Sequence, residues 1–190
     1  REVLVQGEMP NPKAAPGEVL VRVHASGVNP SDCKSRGGSR PMAAPRVIPH
    51  SDGAGVIAAG GAGVDAARVG ERVWIWNGQW KRPFGTAAEY VALPAAQAVP
   101  LPENVSFAEG ACLGIPALTA LRAVMVDGGV IGQSVLVAGG AGAVGHYAIQ
   151  FAKLLGAKQV IATVSSPAKA AHALAARADA AVDYRAEDVA

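Results

Sequence analysis

The stretch from Ser134 to Gly145 constrains this chain more than any other. An apolar run, Val135-Leu136-Val137, leads into Gly140-Ala141-Gly142-Ala143-Val144-Gly145, and an amphipathic segment follows. In the G-x-G-x-x-G spacing each glycine has a mechanical task. Gly140 permits the tight turn, Gly142 lets the backbone approach a pyrophosphate, and Gly145 lets the following helix pack closely on the strand. The helix expected over Val144–Leu155 aims its free N–H groups and the positive end of its dipole at that anion. Its apolar positions Val144, Tyr147, Ala148, Phe151 and Leu155 form one stripe, expected to face a sheet. Alone, in a chain with 23 glycines, such spacing is equally an ordinary tight turn. Here strand, glycines, helix, Gly156 at the helix end and a second strand over Gln159–Val164 fall in order, which is the context of a dinucleotide site.

About 20 residues beyond such glycines, an acid would hydrogen-bond the ribose 2′-OH of NAD. This chain offers Ser165-Ser166-Pro167-Ala168-Lys169 instead. Ser166 suits the cap of the next helix with Pro167 at its first position. Lys169 then falls in the first turn, where a cation opposes the dipole. A 2′-phosphate would give it a partner, so NADPH is expected over NADH; the alternative is an exposed lysine on a surface helix.

The rest of the chain divides by texture. Val19, Val21 and Val23 alternate with Leu20, Arg22 and His24, the period of a half-buried strand. Further strands are expected at Gly55–Ala59, Arg72–Trp76 and Ala87–Leu93, making a small antiparallel β-domain. Ser106 to Glu109 matches a capping box, and Ala117–Val126 reads as a second helix. Strand and helix then alternate through Ser134–Ala138, Val144–Leu155, Gln159–Val164, Pro167–Ala178 and Ala181–Asp183, as in a parallel sheet with crossover helices. The expected division is residues 1–112 and 113–190. A doubly wound sheet has about six strands, and only three candidates follow Gly132, so the chain is expected to continue past Ala190 with the second mononucleotide half.

Composition excludes several classes. The chain is 51% hydrophobic and 17% charged with a net charge of +2, so neither disorder, nor a nucleic-acid partner, nor a membrane surface is expected. No apolar run reaches the roughly 18 residues of a membrane helix, and no secretory leader is read at Arg1. Cys33 and Cys112 lie far apart, expected as buried free thiols in a reducing cytoplasm.

Gly27-Val28-Asn29-Pro30-Ser31-Asp32, Ser51-Asp52-Gly53-Ala54-Gly55-Val56, Gly70-Glu71-Arg72-Val73, Gly114-Ile115-Pro116 with Thr119-Ala120, and the glycine turn together resemble the medium-chain dehydrogenase/reductase superfamily, and within it the zinc-free quinone oxidoreductase, or zeta-crystallin-like, branch. The resemblance implies an α/β protein: a GroES-like β-domain followed by a Rossmann doubly wound parallel sheet, incomplete at the C-terminus. It implies NADPH-dependent reduction of quinones or other activated alkenes and carbonyls by direct hydride transfer, in a cytoplasmic homodimer. By the same resemblance Asn29 and Thr119 line the nicotinamide and substrate site, and Gly142, Ala143 and Val144 match the diphosphate turn. Ser165 and Lys169 match the adenosine-phosphate pocket, which Tyr184 flanks. Members of the branch often carry an aromatic residue where this chain has Lys34, which leaves the substrate open.

Zinc-dependent relatives place a Cys where this chain has Asn29 and a His-Glu pair where it has Ser51 and Asp52. His50 stands one residue early, as a turn or cleft residue. Zinc favours N and S ligands in tetrahedral array, so no metal is expected, and the site must stabilise charge by hydrogen bonds. The proton would come from water or a cleft donor. An enoyl-thioester reductase of the same superfamily is the nearest alternative. A crystallin-like structural or RNA-binding protein is the alternative of another class, against which the small net charge and the lack of a basic-aromatic stripe speak.

Overall fold

The computed structural model describes residues 3–39, 41–42 and 44–186. The chain separates into two compact units, Arg1–Ile115 and Pro116–Ala190. In the first, strands β1 (Glu18–Gly27), β2 (Asp52–Gly60), β3 (Arg72–Ile75), β4 (Tyr90–Pro94) and β5 (Ala98–Pro100) form one sheet in the order β4-β1-β2-β3-β5. Each neighbouring pair is antiparallel. The alternation read in the sequence is the reason: Val19 and Val21 are wholly buried and meet Ile57, Val73, Ile75, Val91 and Leu93 in one core, with Val23 packed at its margin. A smaller cluster of Ala54, Leu101 and Ala111 is backed by Trp74, Phe107 and Leu113.

The strand expected from Ala87 begins only at Tyr90, although the carbonyl of Glu89 still accepts the N–H of Val23 (2.8 Å). Two elements go beyond the sequence reading. One is β5, three residues ending in Pro100. The other is helix α1 (Pro30–Arg36), capped by Asn29, with Pro30 in its first turn and the Asp32 carboxylate accepting the Asn29 N–H (2.7 Å). Its start signals are plain, but it buries none of its seven residues, so it carries no apolar stripe to read. For the same reason Cys33, on α1, is exposed; Cys112, in the turn after helix α2 (Phe107–Gly110), is exposed too. Both correct the expectation of buried thiols. The capping box at Ser106 is present, Glu109 Oε2 accepting from Ser106 N (2.8 Å) and Ser106 Oγ from Glu109 N (3.2 Å).

Helix α3 (Gly114–Met125) starts three residues before the expected Ala117. In the second unit β6 (Ser134–Val137), α4 (Ala143–Leu154), β7 (Gln159–Val164), α5 (Pro167–Ala175) and β8 (Ala180–Asp183) alternate, and the strands lie parallel in the order β6-β7-β8. An antiparallel β-domain followed by a Rossmann-type parallel sheet is the expected fold class. Helix α5 stops at Ala175, short of Ala178, where Arg177 turns to a left-handed φ of 78°.

The buried stripe of α4 is rotated from the expected one. Gly145, Ile149 and Ala152 are its buried residues, with Ala148, Phe151 and Leu155 packed beside them, whereas Val144 is exposed. The phase is set by backbone contact. A Cβ on Gly145 would run into the carbonyl of Gly139, so this residue must face the turn and the others follow at helical spacing. Strand β6 forms an edge of the sheet, and Leu136 on it is exposed.

Gly145→Ala is expected to destabilise the second unit by about 1–3 kcal/mol, the usual cost of overpacking. Gly142→Ala, whose Cβ would meet only the Gly139 carbonyl at 3.2 Å, should cost less. Thermal unfolding of the two variants beside the wild type checks the order.

Candidate functional site

The candidate residues of the second unit gather at the carboxyl ends of its parallel strands, where ligands bind in open α/β sheets. After β6 the chain turns at Gly139, whose φ is 67°. The turn glycine is therefore Gly139 and not Gly140. Gly140 lies where a Cβ would come within 2.5 Å of Ala162 Cβ on β7, so its service is close packing. Thr163 of β7 ties the turn down, its hydroxyl accepting the Gly139 N–H (3.0 Å) and its carbonyl the Gly140 N–H (3.0 Å). Gly142 caps α4 in an extended conformation, and Gly142, Ala143 and Val144 are exposed at the helix start.

After β7, Ser166 caps α5, its hydroxyl accepting the Lys169 N–H (3.4 Å). The Lys169 ammonium donates to Ser165 Oγ at 2.8 Å. A buried hydroxyl and an exposed lysine thus stand together beside the helix start, as the sequence placed them. Tyr184 follows β8, half exposed, its N–H donating to the Val164 carbonyl (3.2 Å). His146, one residue past Gly145, stacks on His172 of α5 with ring centroids 4.3 Å apart. Burial, and then its neighbour His172, hold its pKa below the ordinary imidazole value.

In the first unit the centre is Asp52, 1% exposed, at the start of β2. Its Oδ2 accepts the side-chain N–H of Asn29 and the backbone N–H of Ile115, each at 2.8 Å. Oδ1 is sealed against Gly114, where a Cβ would collide with it, and has no hydrogen-bond partner among the described residues. Burial raises the Asp52 pKa above the ordinary carboxylate value, and Asp32 pushes the same way; the bonds from Ile115 and Asn29 oppose them. The Asp52 carbonyl accepts from Thr86 Oγ1 (2.6 Å), which lies 3.0 Å from Ser26 Oγ, itself 2.9 Å from His50 Nδ1. Ser26 and Thr86 also border a groove of about 380 Å³ along β1, with His24 and Glu89. Asn29, nine-tenths buried, belongs to this cluster; Thr119 is exposed on α3 in the second unit.

The donor set around Asn29, Ser51 and Asp52 does not suit zinc. Asn29 presents its amide N–H to Asp52, and the carboxylate oxygen facing it is already shared by two N–H donors. Among the described residues no group of three or more His, Cys, Asp or Glu could hold a metal ion. Sequence reasoning missed Thr163, Ser26 and Thr86. Thr163 was discernible as the one hydroxyl in an apolar strand, whereas Ser26 and Thr86 acquire meaning only through pairing across 60 residues.

Comparison with known proteins agrees with this layout. Residues 15–103 match the alcohol dehydrogenase GroES-like domain and residues 143–190 the zinc-binding dehydrogenase family. The quinone oxidoreductase of Rattus norvegicus is 40% identical over 169 residues, 87% of this chain and 50% of that protein. The structure of Pseudomonas syringae pv. Tomato DC3000 quinone oxidoreductase superposes with a TM-score of 0.86 at 38% identity, covering 99% of this chain and 57% of the other. The Escherichia coli quinone oxidoreductase complexed with NADPH gives 0.83 at 30% identity, over 96% and 55%. The chain belongs to the medium-chain dehydrogenase/reductase superfamily, in its quinone oxidoreductase branch. It spans about half the length of the curated relatives it matches.

The buried acid gives a signed prediction. A folded-state pKa raised above the unfolded value means that the native state holds its proton longer, so this group costs stability as pH rises through that window. Asp52→Asn keeps an oxygen for both N–H donors and removes the charge. Urea unfolding across a pH series should show the wild type losing stability relative to Asp52→Asn as pH climbs above the ordinary carboxylate range, then levelling.

Proposed function

We propose that this protein is an NADPH-dependent reductase of quinones or other activated alkenes and carbonyls, acting by hydride transfer without zinc. The observation that carries the reading is the end of β7, where Ser165 and Lys169 are bonded at 2.8 Å and no carboxylate stands in the Ser165–Lys169 segment. A dianionic 2′-phosphate suits an ammonium and two hydroxyls, and a ribose diol does not need them. The Escherichia coli relative complexed with NADPH supports the same cofactor.

In this reading Gly142, Ala143 and Val144 hold the diphosphate, the N–H groups of Ala143 and Val144 donating while that of Gly142 is spent on the Gly139 carbonyl (2.9 Å), with Gly139 making the turn and Gly140 and Gly145 letting strand and helix pack closely on it. Ser165, Ser166 and Lys169 hold the 2′-phosphate and Tyr184 flanks the adenosine. Bound NADPH supplies a hydride. Asn29 and Thr119 orient the carboxamide and the substrate. Asn29 is held for this by its side-chain N–H bond to Asp52 (2.8 Å). Zinc independence rests on the donor chemistry above, since an amide, a hydroxyl and a carboxylate already shared by two donors are poor zinc ligands. Cytoplasmic placement and a homodimer belong to the same reading and rest on the family likeness.

Two measurements test it. Lys169→Ala is expected to weaken NADPH binding about 10- to 100-fold, from a charge-assisted bond of about 1.5–3 kcal/mol, and to leave NADH unchanged; equal loss for both cofactors would overturn the assignment. Assayed on the full-length protein, quinones and enones should be reduced at a rate that chelators do not alter. Turnover confined to enoyl thioesters would instead make it a thioester reductase.

A further inference from the structure

The hydrogen-bond chain that ends on His50 has one consistent direction. Thr86 Oγ1 faces the Asp52 carbonyl at 2.6 Å, and a carbonyl only accepts, so the single hydroxyl proton of Thr86 is spent there. Ser26 Oγ, 3.0 Å from Thr86 Oγ1, must then donate to it. That spends the proton of Ser26, so at the last link, 2.9 Å from Ser26 Oγ, His50 Nδ1 must carry the hydrogen. A neutral His50 is thereby fixed in the Nδ1–H form, with its lone pair on Nε2. Among the described residues nothing bonds Nε2.

The backbone of His50 is equally determined. Its φ of 77° lies in the left-handed region, unusual for a residue with a side chain and kept only where the surroundings over-determine it. The carbonyls of Ile48, Pro49, His50 and Ser51 accept from the N–H groups of Gly85 (2.8 Å), Ala87 (3.1 Å), Thr86 (3.0 Å) and Gly78 (2.7 Å). A glycine would adopt this turn without strain, yet an imidazole is held there, anchored through Asp52 to the same residue that holds Asn29.

We propose that His50 is the proton donor of the reduction, giving up its proton at Nε2 while the Ser26–Thr86–Asp52 chain holds Nδ1–H in place. The inference rests on the reductase reading above. Hydride addition leaves an anion on the substrate. The Nε2–H bond breaks as an O–H or C–H bond forms on that anion, the imidazolium becomes neutral, and water reprotonates Nε2. NADPH is oxidised, and the substrate gains two electrons and two hydrogens. Among the described residues the Asp52 carboxylate of β2 is a charged group that interacts with His50, and Asp32 of α1 acts on Asp52 in turn; Ser26 and Thr86, which touch its ring and backbone, are uncharged.

Nitrogen-15 NMR of the imidazoles in the full-length protein reads the chain without turnover, His50 being assigned by the resonances that His50→Asn removes. Neutral His50 should be the Nδ1–H tautomer. Thr86→Val, by freeing the Ser26 proton for Nδ1, should switch it to Nε2–H. In the reductase assay His50→Asn, a side chain that tolerates the left-handed turn, should lower kcat about 100-fold or more, leave the KM for NADPH unaltered, and flatten the pH profile of kcat. His50→Gly should regain rate with added imidazole. An Nε2–H tautomer in the wild type overturns the proposal, as does full kcat with an unchanged pH profile in both His50 variants. A wild type that reduces no quinone or enone while showing the Nδ1–H tautomer marks the failure of the reductase reading, and the proton-donor role falls with it.

Discussion

A carboxylate taken out of water must be given donors, and the first unit is arranged around meeting that demand for Asp52. Two N–H groups converge on its Oδ2, one from the cap of α1 and one from the first turn of α3. Both helix starts are thereby tied to one strand end. The main chain of the same residue carries the second arm, through Thr86 and Ser26 to His50. Removing one donor would leave a buried group with an unmet need, which costs more than the bond itself contributes. The cluster is therefore kept or lost as a unit.

The second unit follows a different rule. Its polar groups face outward from strand ends, and what fixes them is close backbone contact. Gly145 against Gly139, and Gly140 against Ala162, bring α4 and β7 nearer than any side chain would permit. Thr163 then bridges the turn and the next strand. The exposed helix start and the Ser165–Lys169 pair are consequences of that packing, held at a fixed separation by the parallel register of β6 and β7.

Much of this was legible in the residues. The alternation at Val19–Val23 and the order of strand, glycines and helix from Ser134 gave the fold class, because both patterns are local and periodic. The cap of α5 at Ser166 and its lysine three residues on were equally local. What escaped was whatever depended on distant partners. The rotation of α4 is decided by one backbone contact and not by its apolar count, so Val144 was misplaced. Gly140 was given the turn that Gly139 makes, because spacing identifies the motif without saying which glycine bends. The roles of Ser26, Thr86 and Asp52 arise from strands paired across tens of residues, and α1 offered caps but no stripe.

Strand β6 offers one further lesson. Its outer side lies at the margin of a three-stranded sheet, with Leu136 and nearby Ile131 exposed. Unpaired backbone groups beside apolar side chains form a template onto which another strand can add. Among the described residues β6 is thus the outer strand with exposed apolar side chains, a seam set by sheet order and not by the +2 net charge. Covering the seam, with a strand or with lysine substitutions on its outer face, is a matter of colloidal behaviour separate from catalysis.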